Sequence, residues 1–147
     1  MNMNNSAQWA SYHNLQPGDV IKSPKSLANM IQHYSLFWGY DGHGQAWVIE
    51  NVVGHGVIYN RMDHFMSRVG TINSIQPFRG TEWARQQVIK RAAQRVGWKY
   101  DALSYNCEHF VNDTRNFVKA SKQANTVKGV LAGLTVVCVI AALARRA

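Results

Sequence analysis

An α+β fold, a small antiparallel sheet packed on two helices and followed by an apolar C-terminal helix, is what three features of this sequence predict. Short β-branched and aromatic runs separated by Gly- and Asp-bearing turns fill the first half. Two segments with N-cap residues and a 3.6-residue apolar repeat follow. An uncharged apolar run then occupies residues 129–144. The chain has 147 residues, the size of one domain, and 46% hydrophobic against 16% charged residues is enough for a buried core.

Taken in order, residues 1–14 are polar and read as an N-terminal tail, without the apolar stretch of a secretory signal. Leu15-Gln-Pro-Gly-Asp-Val-Ile21 is a turn feeding a short strand. Residues 33–38 and 46–53 are aromatic and β-branched, and Asp41-Gly42-His43-Gly44 between them marks a hairpin. Further short strands are predicted at residues 57–60 and 71–75. Thr81 is the N-cap of a helix reaching about Val96, with Glu82 in its first turn. Its apolar stripe is Ala84, Val88, Ala92 and Val96, and Arg85, Lys90, Arg91 and Arg95 read mostly as a solvated face. A second helix runs from near Asn106 to about Ala120. The body thus spans residues 15–120, a basic linker 121–128, and the apolar run 129–144.

Charge is distributed unevenly along the chain. Up to Thr114 there are 10 basic and 8 acidic residues, whereas residues 115–147 carry 6 basic residues and no acid. A basic, acid-free end beside an apolar run fits an anionic membrane surface, and no groove-reading motif accompanies it, so nucleic acid is not an expected partner. As a helix the apolar run is roughly 24 Å long against a ~30 Å hydrocarbon core, and Lys128, Arg145 and Arg146 can snorkel at its ends. It is read as a single-pass anchor holding the body in the cytosol, with a buried core helix as the alternative. Gly129 and Gly133 form a GxxxG pair, a weak signal for a helix dimer. Cys138 lies inside this run as a small hydrophobe. Two cysteines exclude a disulfide scaffold and a four-cysteine zinc site, and the histidines lack ligand spacing, so neither metal nor cofactor is assigned.

Cys107 falls at the predicted start of the second helix, where backbone N–H groups and the dipole favour a thiolate. Phe110, Val111 and Thr114 place it on the core-facing side, so a buried structural cysteine is the competing reading. His33 heads the first hairpin strand, and Glu50 and Asn51 stand on the other arm. With Asp41-Gly42 as a two-residue turn, His33 faces Glu50 directly; a slip of one or two residues puts Asn51 or Val52 there instead. An imidazole that takes a thiol proton needs its other nitrogen held by an acceptor, which Glu50 or Asn51 can supply.

The stretch Lys99-Tyr-Asp-Ala-Leu-Ser-Tyr-Asn-Cys-Glu-His-Phe-Val111 strongly resembles the lecithin:retinol acyltransferase-like family, whose signature is Asn-Cys-Glu-His-Phe-Val. Pro17-Gly-Asp-Val-Ile21 and the strand opening at His33 are similar to two further landmarks of that family, in the same order. The resemblance implies a circularly permuted, NlpC-type papain-like domain with Cys107 as nucleophile and His33 as general base. It implies that Glu50 takes the third position, which in the family is usually histidine, with Asn51 as the alternative. No counterpart stands here for the tyrosine some members have just before the histidine, since Ile31 and Gln32 occupy that place. Backbone N–H groups, that of Cys107 included, must then form the oxyanion hole.

The expected function is that of a membrane-tethered thiol acyltransferase or phospholipase A acting on glycerophospholipid acyl esters through a Cys107 thioester. An NlpC-type peptidase or amidase is the alternative enzyme. A catalytically silent membrane-bound interaction module is the alternative from another class.

Overall fold

The computed structural model describes residues 6–26, 31–117, 120–126, 128–130 and 132. Among these residues five strands form one antiparallel sheet: β1 (Val20–Ser26), β2 (Ile31–Tyr40), β3 (Ala46–Val52), β4 (Gly56–Arg61) and β5 (Ser74–Gln76), in the order β4-β3-β2-β1-β5. The helices are α1 (Ser6–Tyr12), α2 (Met62–Val69), α3 (Glu82–Gln94) and α4 (Cys107–Asn116).

The strands alternate, and both faces of the sheet are covered. Ile21, Phe37, Ala46 and Val48 pack with Trp9 and Ala10 of α1 and Met62 and Phe65 of α2. Val20, Leu36, Ile49 and Val57 pack with Val88 and Ala92 of α3 and Phe110 and Val111 of α4. Each such fully buried side chain contributes about 1.5–3 kcal/mol before chain entropy is counted. Two helices packed on the sheet were expected; among the described residues a helical pair packs on each face. The extra pair comes from segments the sequence reading left as a tail or unassigned. Residues 6–14 of the expected tail are built into the body, because Trp9 and Ala10 are core residues; residues 1–5 lie outside the described residues. In α2, Met62, Phe65, Met66 and Val69 sit at i, i+3, i+4 and i+7, the stripe of a core-facing helix.

The two expected helices start where their caps stand. Thr81 Oγ1 accepts from the Ala84 N–H at 3.2 Å, a bond of a type that contributes about 1 kcal/mol. The basic face of α3 differs from expectation. Arg85 donates to Pro17 O and pairs with Asp19, Arg91 donates to the Thr114 carbonyl, and Arg95 bonds Asp113 at 2.7 Å. Three of those four cations therefore tie α3 and its C-cap to the turn before β1 and to α4, and Lys90 alone of the four matches the solvated reading. Gly56 begins β4 at φ +75°, and a Cβ there would lie 2.2 Å from Trp98 O, so the Val57–Trp98 backbone bond forms only over glycine.

Residues 121–126 do not act as a spacer. Residues 122–126 are helical, Ser121 and Ala124 are buried, and the segment is hydrogen-bonded to α4 and to the start of β2. Among the described residues no helix is long and apolar enough to cross a membrane. The expected anchor lies outside the described residues except for 129, 130 and 132, and Gly133 and Cys138 lie outside them too.

Candidate active site

Each residue of the Asn106-Cys107-Glu108-His109 box has a distinct structural task. The Asn106 side chain accepts from the Glu108 and His109 N–H groups, both at 3.0 Å, and His109 Nδ1 accepts from the Asn106 N–H. This reciprocal cap satisfies the first turn of α4 and fixes where Cys107 stands. The Glu108 carboxylate accepts from Ser121 Oγ at 2.6 Å and the Gln123 N–H at 3.0 Å. Gln123 in turn grips the backbone of Gln32 from both sides, its Oε1 accepting the Gln32 N–H and its Nε2 donating to the Gln32 carbonyl, each at 3.1 Å. That same carbonyl is 3.9 Å from Cys107 Sγ. The thiol is 1% exposed.

The structure brings His33, Cys107 and Glu50 together. His33 Nε2 lies 2.6 Å from Glu50 Oε2, both side chains buried. With Nε2 committed to the carboxylate, Nδ1 is the nitrogen left for the hydrogen bond with the Cys107 thiol. Burial pulls the imidazole pKa down, but hydrogen bonds with Cys107 and Glu50, and their charges, outweigh it, so the pKa is raised above 6.5. Burial alone would raise the Glu50 carboxyl; the bond and charge of His33, with Asn60 and Arg68, instead hold it below its ordinary 4.5.

The contact is not made by the register of a two-residue turn. The hairpin loop takes five residues, 41–45, closed by bonds between Asp41 and Gln45, which displaces the ladder by three at Tyr40–Ala46; a bulge between Phe37 and Gly39 takes one residue back, so Ser35 pairs with Glu50, displaced by two. A slip of two preserves the face of every side chain. Glu50 thus reaches His33 along a diagonal on one flank and Asn60, two residues from its β4 partner Ile58, on the other at 2.8 Å. Asn51 points to the opposite face, where its Nδ2 donates to Tyr105 O at 2.6 Å. It does not hold His33, so of the two candidate acceptors only Glu50 is in place.

Several residues around this site were not singled out from the sequence. Arg68, in the last turn of α2, donates Nη2 to Glu50 Oε2, and Asn60 completes the donors around the carboxylate. No local pattern announces Arg68 or Gln123, since each acts on a residue distant in sequence. Tyr34 follows His33 on the α4-facing side. Burial, joined by the charges of Glu108 and Cys107, pushes its phenol up to about 12, so it remains a donor at neutral pH. Asp19, in the Pro-Gly-Asp landmark, accepts from the Gln16 and Phe78 N–H groups and from Arg85, a structural task away from the thiol. A cleft of about 220 Å³ opens beside His33, lined also by Pro24, Asn51, Val52, Val53, Arg68 and Val69. Among the described residues no three His, Cys, Asp or Glu side chains are grouped to hold a metal ion.

A family model described as Lecithin retinol acyltransferase matches residues 41–119, more than half of the chain. The chain belongs to this family. The match includes Glu50 and Cys107 and begins after His33. The chain is also similar to a human protein named Phospholipase A and acyltransferase 2, with 41% identity over 68 residues. That alignment covers 43% of this chain and 42% of the relative, so less than half of the relative's length is spanned. No solved structure matches.

Proposed function

We propose that this protein is a membrane-tethered thiol acyltransferase and phospholipase A that acts on glycerophospholipid acyl esters. The observation that carries the reading is the convergence of Cys107, at a capped helix N-terminus, on an imidazole whose far nitrogen is held by a buried carboxylate. Histidine precedes cysteine in the chain, as a circularly permuted papain-like domain requires. Family membership and the printed name of the human relative supply the substrate class.

In this reading the Cys107 proton passes to His33 Nδ1, and the helix N-terminus and the imidazolium stabilise the thiolate. Sγ attacks the acyl carbonyl carbon, and the displaced electron pair rests on an oxygen facing the Cys107 backbone N–H. Collapse of this intermediate breaks the ester bond, and the imidazolium proton goes to the leaving glycerol oxygen. A lysophospholipid departs and an acyl thioester remains on Cys107. His33 then takes a proton from water or an amine, which attacks the thioester and releases fatty acid or an N-acyl product with the thiol restored. Glu50 stays ionised throughout, fixing the tautomer and balancing the imidazolium. The apolar run at 129–144 anchors the body on a membrane facing the cytosol, which keeps the enzyme beside a substrate that never leaves the bilayer. Its Gly129–Gly133 face is the proposed dimer contact.

Full-length protein incubated with phosphatidylcholine vesicles tests the reading. Wild type should release fatty acid, Cys107→Ala should lose all release, and Cys138→Ala should retain it. Full activity in Cys107→Ala would remove the enzyme reading.

A further inference from the structure

A second recess, of about 350 Å³, adjoins α2. Its walls are Trp9 and His13 from α1 and the residue just after it, Met66 and Val69 from α2, and Ile72 beyond. The size falls within the roughly 300–1,000 Å³ typical of small-molecule sites. Trp9, Met66, Val69 and Ile72 belong to or pack against the first core cluster, so the recess is an apolar opening into that core. Val69 lines both this recess and the cleft beside His33, so the two meet at the last turn of α2. Their polarity differs sharply at that junction. On the cleft side stands Arg68, its side chain 42% exposed, with one guanidinium nitrogen on Glu50 and the Phe65 ring 5.8 Å away.

An apolar recess that shares Val69 with a cleft holding His33 and a half-exposed cation matches an amphiphile with a chain, an ester and a phosphate. We infer that α1 and α2 form the acyl-chain site of this enzyme: the chain of the scissile ester lies between Trp9, Met66, Val69 and Ile72, and the anionic phosphate faces Arg68. This inference rests on the proposed action on glycerophospholipids and adds where the substrate lies. It gives a task to α1, a segment that precedes the family match, and to α2 beyond its role in the core.

Two measurements on the full chain test it. In the first, tryptophan fluorescence is titrated with lysophosphatidylcholine carrying a brominated dodecanoyl chain, below its critical micelle concentration. Bromine quenches only rings it touches, so wild type should be quenched and Trp9→Phe should lose that quenched component. Quenching that is identical in Trp9→Phe overturns the site. In the second, kcat/KM is measured on soluble esters of increasing chain length. Each methylene taken from water should raise it by up to about fourfold until the recess is full. Ile72→Trp and Met66→Trp should flatten that dependence, and two unchanged slopes would overturn the site. Hydrolysis without Trp9 quenching would defeat the inference while leaving the proposed function standing. Trp9 quenching in a protein that hydrolyses no ester would overturn the proposed function and, with it, the assignment of the recess to a scissile ester.

Discussion

Replacing Glu50 with alanine removes a fully buried carboxylate on which His33, Arg68 and Asn60 converge. Arg68 is half-exposed and Asn60 half-buried, so both can regain water; His33, 4% exposed, cannot. An unsatisfied buried polar group costs roughly 1–3 kcal/mol, and breaking a buried charge pair 3–5 kcal/mol. With only one of the three donors stranded, the expected loss is about 3 kcal/mol, a fall in Tm on the order of 10 °C. The chemical step should suffer more, because orienting a catalytic imidazole is worth up to roughly 10⁴ in rate. Glu50→Gln keeps an acceptor for Nε2 and should lose less on both counts. Asn51→Ala is the discriminating control. It removes a buried bond to Tyr105 O, so it should cost about 1 kcal/mol of stability but leave the rate per folded molecule near wild type. Calorimetry, with fatty-acid release measured well below each variant's Tm, separates the two effects. A near-normal rate in Glu50→Ala, or a large loss confined to Asn51→Ala, would refute the assignment of the third residue.

Two further outcomes follow from the same geometry. His33 has a raised folded-state pKa, so its contribution to stability is complete below 6.5 and disappears as pH rises through the folded value. Glu50 has a lowered one, so its contribution is complete above 4.5 and disappears as pH falls through the folded value. The stability gap between wild type and Glu50→Gln should therefore be widest between those limits, and a gap independent of pH would contradict the charged pair. The C-terminal segment is tested by truncation. Ending the chain after Ala120 removes the partners of Glu108 and Gln32 and should both destabilise the body and speed alkylation of Cys107, whereas ending it after Thr126 should do neither. The full chain should stay with membranes in high salt, since burial of an apolar run is not screened; release by salt alone would leave only the basic patch as the contact.

Local signals located most of the framework. Thr81 and Asn106 announce helix starts because capping chemistry is read within four residues. The β2–β3 hairpin is visible in its alternation, but its register depends on whether Gly42 or Gly44 makes the turn, and Gly44 at φ +75° with Asp41 bonding Gln45 settles it. Glu50 keeps its face because a bulge between Phe37 and Gly39 reduces the loop's slip of three to two, and the side-chain period is two. Helix α2 is legible in the spacing of Met62, Phe65, Met66 and Val69. Helix α1 carries too few apolar residues to declare itself; Trp9 and Ala10 matter only once a sheet lies beneath them. The same holds for Arg85, Arg91 and Arg95, whose charges looked solvated until α4 and the turn before β1 supplied partners. Gln123 and Arg68 were least accessible, since each acts across the fold on a residue distant in sequence.

The central claim is that Cys107 carries the acyl group, and trapping that adduct tests it most directly. Full-length protein is mixed with phosphatidylcholine of defined chain length, quenched in acid within seconds, and analysed as intact protein and as peptides. The account predicts a mass increase equal to one acyl group, located on the peptide bearing Cys107, labile to hydroxylamine, and absent from Cys107→Ser. Its initial rate of formation should fall in Glu50→Ala, because an unoriented imidazole slows thiol deprotonation. Substrate turnover with no adduct on Cys107, or an adduct carried by another residue, would contradict it.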